Sequence, residues 1–211
     1  MRKKEGGESY KMAKTAVFGG SFDPPHLGHT QLILSLKEAH GIDKVLIIPA
    51  QLNPLKPSAA SPEHRLHMSH LAFDDVPGCT VLDLELSQSS PSYTVDTLRW
   101  LMEHHEAFQR SERFLLLGAD VIPSLLQWKE VDTVFSIARP LFAARVGIDG
   151  RQLAGLTPFV LQAVHDGWTQ TGLFDISSTG VRDRLRQGLY IDHLVKESVI
   201  RYIHSVKIYM H

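Results

Sequence analysis

The chain has 211 residues, enough for one large domain whose core needs no disulfide or metal staple. Hydrophobic residues make up 43% and charged residues 21%, which excludes a disordered chain. Lys and Arg total 22 against 23 Asp and Glu; the resulting net charge of −1 argues against a protein held by bulk charge on nucleic acid or an anionic membrane, while a local basic pocket stays open. Cys79 is the single cysteine, so an internal disulfide framework and a multi-cysteine metal centre are excluded, and a reducing cytoplasm is the expected location.

Met1 to Ala13 reads as a mobile tail, and 14–211 as a single domain. No signal-length apolar stretch follows that tail, and no run approaches the ~20 apolar residues that span a bilayer. Thr15 to Phe18 is a β-branched and aromatic run that stops at Gly19-Gly20, the pattern of a buried strand entering a tight loop. Leu27 to His40 sets Leu32, Ile33, Leu36 and Ala39 at helical spacing, with Gly41 placed to end the helix. Lys44 to Pro49 (KVLIIP) is a second buried strand, so the opening reads as a βαβ unit with parallel pairing.

Gln51 to Pro62 carries three prolines and reads as an exposed loop. Pro62 to Phe73 is the next expected helix. Thr80 to Leu86 alternates like a strand, with Asp83 and Glu85 on one solvated face. Thr94 to His104 is helical, and Ser92 or Thr94 is the expected cap. Arg113 to Leu117 is a strong strand that stops at Gly118; Ser124 to Val131 reads as a short helix and Pro140 to Arg145 as a strand. Gly150 to Gly172 is ambiguous. Ser177 to Gln187 and His193 to Val206 are two closing helices, and Trp100 and Trp168 are expected to be packing residues. Strands alternating with helices indicate an α/β fold built on a doubly wound, mostly parallel sheet, with C-terminal helices.

The segment richest in chemistry is Gly19-Gly20-Ser21-Phe22-Asp23-Pro24-Pro25-His26-Leu27-Gly28-His29. The glycines let backbone approach a ligand, and the prolines stiffen the turn. The helix begins near His26, so its N–H groups and positive dipole end are expected to face whatever lies over the loop. His26 and His29 are three apart and share one side of the first turn, with Gly28 leaving access between them. Two imidazoles in that setting can donate to phosphate oxygens and stabilise developing negative charge. A second segment, Asp175-Ile176-Ser177-Ser178-Thr179-Gly180-Val181-Arg182, ends a possible strand and starts a helix. Ser178 or Thr179 can cap that helix and donate a hydroxyl to phosphate, and Arg182 in the first turn can bridge two phosphate oxygens. An ordinary capped helix with a solvated arginine is the alternative for this segment taken alone.

His26-Leu27-Gly28-His29 resembles the (H/T)xGH signature of the nucleotidylyltransferases, and Ser177 to Arg182 resembles the ISSTxxR signature of the same superfamily. With Pro91-Ser92-Tyr93-Thr94, Leu117-Gly118-Ala119-Asp120 and Gln127-Trp128 in order, the chain is similar to the bacterial nicotinate-mononucleotide adenylyltransferases from about Thr15 onward. The resemblance implies a Rossmann-like nucleotidylyltransferase fold and a reaction. ATP and nicotinate mononucleotide would give deamido-NAD and pyrophosphate, with Mg²⁺ carried in on ATP and no metal site of the protein's own.

It also implies roles. His26, His29 and Arg182 would be catalytic. Gly19, Gly20, Ser21, Phe22, Gly28, Gly118, Asp120, Ser178 and Thr179 would bind ATP, Asp120 through ribose hydroxyls. Lys56, Tyr93, Thr94, Trp128 and Arg145 would receive the mononucleotide, Trp128 by stacking on its ring, and the Gln51 to Pro62 loop would act as a lid.

The chain departs from the family pattern at three places. Asn53-Pro54-Leu55-Lys56 lacks the histidine of a PPHK-like loop, Ala144-Arg145-Val146-Gly147 replaces Arg-Arg-Pro-Gly, and Leu173-Phe174 stand where some members carry a second tryptophan. Two other readings stay open: a sister enzyme with another acceptor, nicotinamide mononucleotide first, and a non-catalytic ATP-binding sensor. Oligomeric state is open, a homo-oligomer included. His64, His67 and His70 share a helix face without a carboxylate or cysteine to complete a metal site, and read as solvated.

Overall fold

The computed structural model describes residues 12–51, 58–86, 92–144, 154–172 and 175–210. Lys56, Arg145, Leu173 and Phe174, with 52–57 of the expected lid and 1–11 of the expected tail, lie outside the described residues. The strands are β1 (Lys14–Gly20), β2 (Lys44–Pro49), β3 (Cys79–Val81), β4 (Glu112–Gly118), β5 (Arg139–Ala144) and β6 (Trp168–Gln170). They form one sheet in the order β3-β2-β1-β4-β5-β6, every pair parallel. The connecting helices are α1 (Leu27–His40), α2 (Pro62–Phe73), α3 (Thr94–His104), α4 (Glu106–Gln109), α5 (Val131–Ile137), α6 (Pro158–Gly167), α7 (Ser178–Arg186) and α8 (Glu197–Val206). No helix among the described residues is long and apolar enough to cross a membrane.

The pleat sorts the strands' side chains onto two buried faces. Ala16, Phe18, Val45, Ile47, Phe114, Leu116, Leu141 and Ala143 enter one core with residues of α1, α2, α7 and α8. Val17, Leu46, Ile48, Leu115, Leu117 and Phe142 enter the other, with residues of α3, α5 and α6. A sheet covered on both faces calls for near-continuous apolar runs, which is why KVLIIP and RFLLL read so clearly.

Several expected elements differ. The strand predicted over Thr80 to Leu86 stops at Val81: Leu86 N–H turns back to Asp83 C=O (3.0 Å). Asp83 is exposed but Glu85 is buried, so the pair does not form one solvated face. The helix expected over Ser124 to Val131 is instead a 3₁₀ helix, Ala119–Gln127, followed by α5. Pro123 sits inside it, and a residue without an N–H cannot serve an α-helical ladder. Neither Ser92 nor Thr94 caps α3; Tyr93 holds the cap position without a side-chain bond, and the Ser92 hydroxyl accepts Gln51 N–H (3.0 Å).

Further along, Asp175 and Ile176 belong to no strand, and Ser177 caps α7 by accepting Gly180 N–H (3.1 Å). The last helix begins at Glu197, because 191–195 form a turn (Leu194 N–H to Ile191 C=O, 2.8 Å). Trp168 starts β6 and packs on the second core, but Trp100 is 38% exposed and stacks on His104. The ambiguous stretch contains α6 and β6.

At the junction of those two elements α6 lies directly on β5. A Cβ at Gly167 would stand 2.1 Å from the Pro140 carbonyl oxygen, so backbone must shift to admit one. A Cβ at Gly172 would meet nothing within 4 Å. Gly167→Ala is therefore expected to destabilise the fold by about 2 kcal/mol, in the range of overpacked sites, and Gly172→Ala by little. Urea titration of both variants checks this, and equal midpoints would refute it.

Candidate active site

The strand order reverses direction between β1 and β4, and in such sheets the crevice beyond the carboxyl ends of the strands is the ligand site. A cavity of about 600 Å³ opens there, lined by Gly19 and Gly20 from β1, Gly118 and Asp120 from the end of β4, and Tyr93, Thr94 and Trp128. Its size suits a nucleotide-sized ligand. The half-buried Trp128 offers a flat apolar wall, and Lys129 Nζ lies 4.9 Å from the Tyr93 ring centroid. Asp120 folds back over Gly118, where a Cβ would meet its Oδ1 at 2.3 Å.

Beside this cavity the loop from β1 to α1 carries the two histidines. Their rings stack at 3.6 Å between centroids, 16° from parallel. The His26 N–H donates to His29 Nδ1 (3.1 Å), so the neutral His29 ring keeps its proton on Nε2. Phe22 meets the His29 ring edge-on at 5.2 Å and is itself core, packed on Phe18 and Phe73. Its side chain is thus spent on positioning His29, and only its backbone remains for a ligand. Burial pushes His26 down to about 4, against the pull of its own backbone contact. Burial first, and the neighbouring His26 second, hold His29 well below the ordinary histidine value. Two imidazolium rings at this separation would repel strongly, so both are neutral at pH 7.

The first-turn amides are less free than the sequence suggests. Leu27 N–H goes to Leu194 C=O (2.8 Å) and His29 N–H to His26 C=O (2.9 Å).

The second segment docks on the same loop. Arg182 Nη1 donates to the Asp23 carbonyl (2.7 Å), Arg182 Nη2 to Thr179 Oγ1 (3.3 Å) and the Ser178 hydroxyl to the Pro24 carbonyl (2.9 Å). Ser178 and Thr179 therefore brace the loop rather than cap α7. A Cβ on Gly28 would lie 3.1 Å from His26 Nδ1 and 3.5 Å from Ile176 Cβ, so this glycine is what lets the two segments close on each other. Among the described residues two buried nitrogens here, His26 Nδ1 and Arg182 Nε, have no hydrogen-bond partner. Orphaned buried donors and acceptors cost about 1–3 kcal/mol each; an oxygen-rich anion would satisfy Arg182 Nε, and His26 Nδ1 when that nitrogen carries the proton.

Three residues to which the sequence reading gave no role in the site shape it. Arg65 of α2 is 1% exposed and donates to Ser21 C=O (3.0 Å), Gln51 C=O (2.7 Å), Ala60 C=O (3.3 Å) and Ala50 C=O, tying the phosphate loop to the end of β2. Burial lowers its pKa, with Asp23 the largest opposing influence. Glu85 lines the cavity and accepts the Thr97 hydroxyl; burial raises its pKa, opposed by Ser92 and Thr97. Asp23 is buried, and its carboxylate takes Ala59 N–H (2.6 Å), Ala60 N–H (3.0 Å) and the Tyr209 hydroxyl (2.6 Å). Only the helical run from Pro62 to Phe73 around Arg65 was visible in the sequence, not its carbonyl partners.

Among the described residues no group of three or more His, Cys, Asp or Glu side chains is placed to hold a metal ion. On the expected histidine face, His64 pairs with Tyr202 (2.7 Å) and His70 with Asp74 (3.0 Å).

Residues 17–184 match the family model described as cytidylyltransferase-like. A "probable nicotinate-nucleotide adenylyltransferase" of Roseiflexus castenholzii is 36% identical over 200 residues, covering 93% of this chain and 98% of that one. One of Desulfatibacillum aliphaticivorans is 33% identical, covering 93% and 100%. The solved Plasmodium falciparum nicotinic acid mononucleotide adenylyltransferase, complexed with NaAD, superposes with a TM-score of 0.74 at 19% identity, over 93% of this chain and 97% of that one.

The depressed histidines carry a pH signature. Between pH 6.5 and about 4 the unfolded chain binds more protons than the folded one at His26, so stability present above pH 6.5 is lost as pH falls through that window. The loss is on the order of 3 kcal/mol for a shift of this size. The melting temperature is expected to fall less steeply from pH 7 to 4.5 in His26→Gln than in the parent; parallel slopes would contradict the neutral, buried ring.

Proposed function

We propose, from the premise that the chain belongs to the cytidylyltransferase-like family and within it to the nicotinate-nucleotide adenylyltransferases, that it transfers the adenylyl group of ATP to nicotinate mononucleotide. The products are deamido-NAD and pyrophosphate. The observation that carries the reading is the convergence of the two histidines and Arg182 on one loop, beside a cavity walled by Tyr93, Thr94 and Trp128.

A phosphate oxygen of the mononucleotide attacks the α-phosphorus of ATP; that new P–O bond forms as the bond to the departing pyrophosphate breaks. No protein nucleophile takes part, so the protein's task is to align two anions and stabilise charge as it moves onto pyrophosphate. His29 presents Nε2–H and His26 its unpartnered nitrogen. Arg182 supplies a fixed cation at the start of α7. Magnesium comes with ATP as part of the substrate. Gly118 and Asp120 take the adenosine, and Trp128 stacks on the pyridine ring. A cytoplasmic location and one nucleotidylyltransferase domain over 14–211 belong to the same reading.

The test supplies Mg-ATP with nicotinate mononucleotide or nicotinamide mononucleotide and measures pyrophosphate and dinucleotide. Faster turnover with the nicotinate acceptor is expected. Preference for the amide would overturn the acceptor, and ATP binding without pyrophosphate release would favour the sensor reading. His29→Ala is expected to lower kcat by about 10²-fold or more, the cost of losing a transition-state donor, with an unchanged circular-dichroism spectrum; near-normal turnover would remove His29 from the mechanism.

A further inference from the structure

The C-terminal turn reaches into the phosphate loop. After α8, Lys207 and Tyr209 both adopt left-handed backbone (φ 55° and 65°), a conformation that costs a non-glycine residue energy. The double bend delivers the Tyr209 side chain into the core and its hydroxyl to Asp23 Oδ1 at 2.6 Å. Burial and the adjacent carboxylate raise the hydroxyl's pKa, so it remains a donor.

The consequence falls on Arg182. A buried carboxylate beside an arginine ordinarily takes the guanidinium in a bidentate pair. Here it does not: Arg182 Nη1 stands 3.7 Å from Asp23 Oδ2, outside hydrogen-bond reach, and donates instead to the Asp23 main-chain carbonyl. The carboxylate is already supplied by three neutral donors, the amides of Ala59 and Ala60 and the Tyr209 hydroxyl. Of the three, the hydroxyl is the one a side-chain substitution removes. Without it Oδ1 keeps one donor, and the Arg182 guanidinium is at hand: Nη1 already stands 3.7 Å from Oδ2, and Nε has no partner among the described residues.

We propose that Tyr209 is a positioning residue for the polyphosphate of ATP: by satisfying Asp23 it keeps that carboxylate from capturing Arg182, and so leaves the guanidinium's remaining N–H groups for phosphate oxygens. The proposal rests on the adenylyl-transfer reading for the identity of the anion. Its physical content is a competition between a carboxylate and a phosphate for one arginine.

The test is Tyr209→Phe, which keeps the buried ring and deletes the donor. Equilibrium binding of Mg-ATP is measured by calorimetry, alongside KM for each substrate. About tenfold weaker ATP binding is expected, the effect of one charge-assisted hydrogen bond, with KM for the mononucleotide within twofold of the parent. A merely structural Tyr209 would lower the melting temperature and the active fraction while leaving ATP affinity unchanged, and that result overturns the proposal. The loss should also vanish in an Arg182→Lys background, where the fork that Asp23 would capture is absent; a full tenfold effect persisting there overturns it equally. If the variant fails to fold, Asp23→Asn is the substitute: it weakens the competitor, so an ATP affinity below the parent's would refute the competition. Calorimetry does not require turnover. Parent protein that binds ATP but makes no dinucleotide sinks the functional reading, and the comparison with Tyr209→Phe still decides this one.

Discussion

Two helix N-termini carry like partial charges, and this fold presses them together. The start of α1 and the start of α7 meet at the Asp23–His26 loop, with Gly28 against Ile176 and Ser178 on Pro24. Left alone, two positive dipole ends and a guanidinium would separate. They are held by acceptors: the carbonyls of Asp23 and Pro24 and the buried Asp23 carboxylate. The same excess of positive potential that makes the junction expensive makes it attractive to a polyanion. Stability and binding are opposite readings of one electrostatic fact.

The histidines obey the same logic. Stacked at 3.6 Å and shielded from water, they are neutral until a strong anion arrives. An incoming triphosphate favours the protonated form of any base it touches. On the proposed reading, the site would gain positive charge with its substrate and would not carry all of it beforehand.

How much of this was legible depends on whether the partners lie close in sequence. β2 and α2 were readable to the residue, because KVLIIP is apolar after Lys44 and a proline is accommodated in the first turn of a helix. The Gly19–His29 and Asp175–Arg182 segments stood out because glycine, proline and histidine at those spacings have few other uses, and the structure brings the two together on one loop. Glu85 was misread because period-two alternation over Thr80 to Leu86 is also satisfied by a short strand and a turn, and its donor Thr97 sits 12 residues on. The 3₁₀ helix was missed because a proline inside an apolar periodic run says that α-helix fails without saying what replaces it. Asp23 looked like a loop residue because its hydroxyl donor lies 186 positions away. Ser178 or Thr179 was the expected cap of α7, and Ser177 takes that place because the docked loop recruits Ser178.

Arg65 has a consequence of a different kind. Its partners are carbonyl dipoles from Ser21, Ala50, Gln51 and Ala60, not acidic side chains, and it is sealed from solvent. Mobile ions screen exposed charges over about 8 Å at physiological ionic strength but scarcely reach buried contacts. On the proposed reading, salt will thus slow the arrival of polyanions at the crevice while the shape of the β1–α1 loop stays the same.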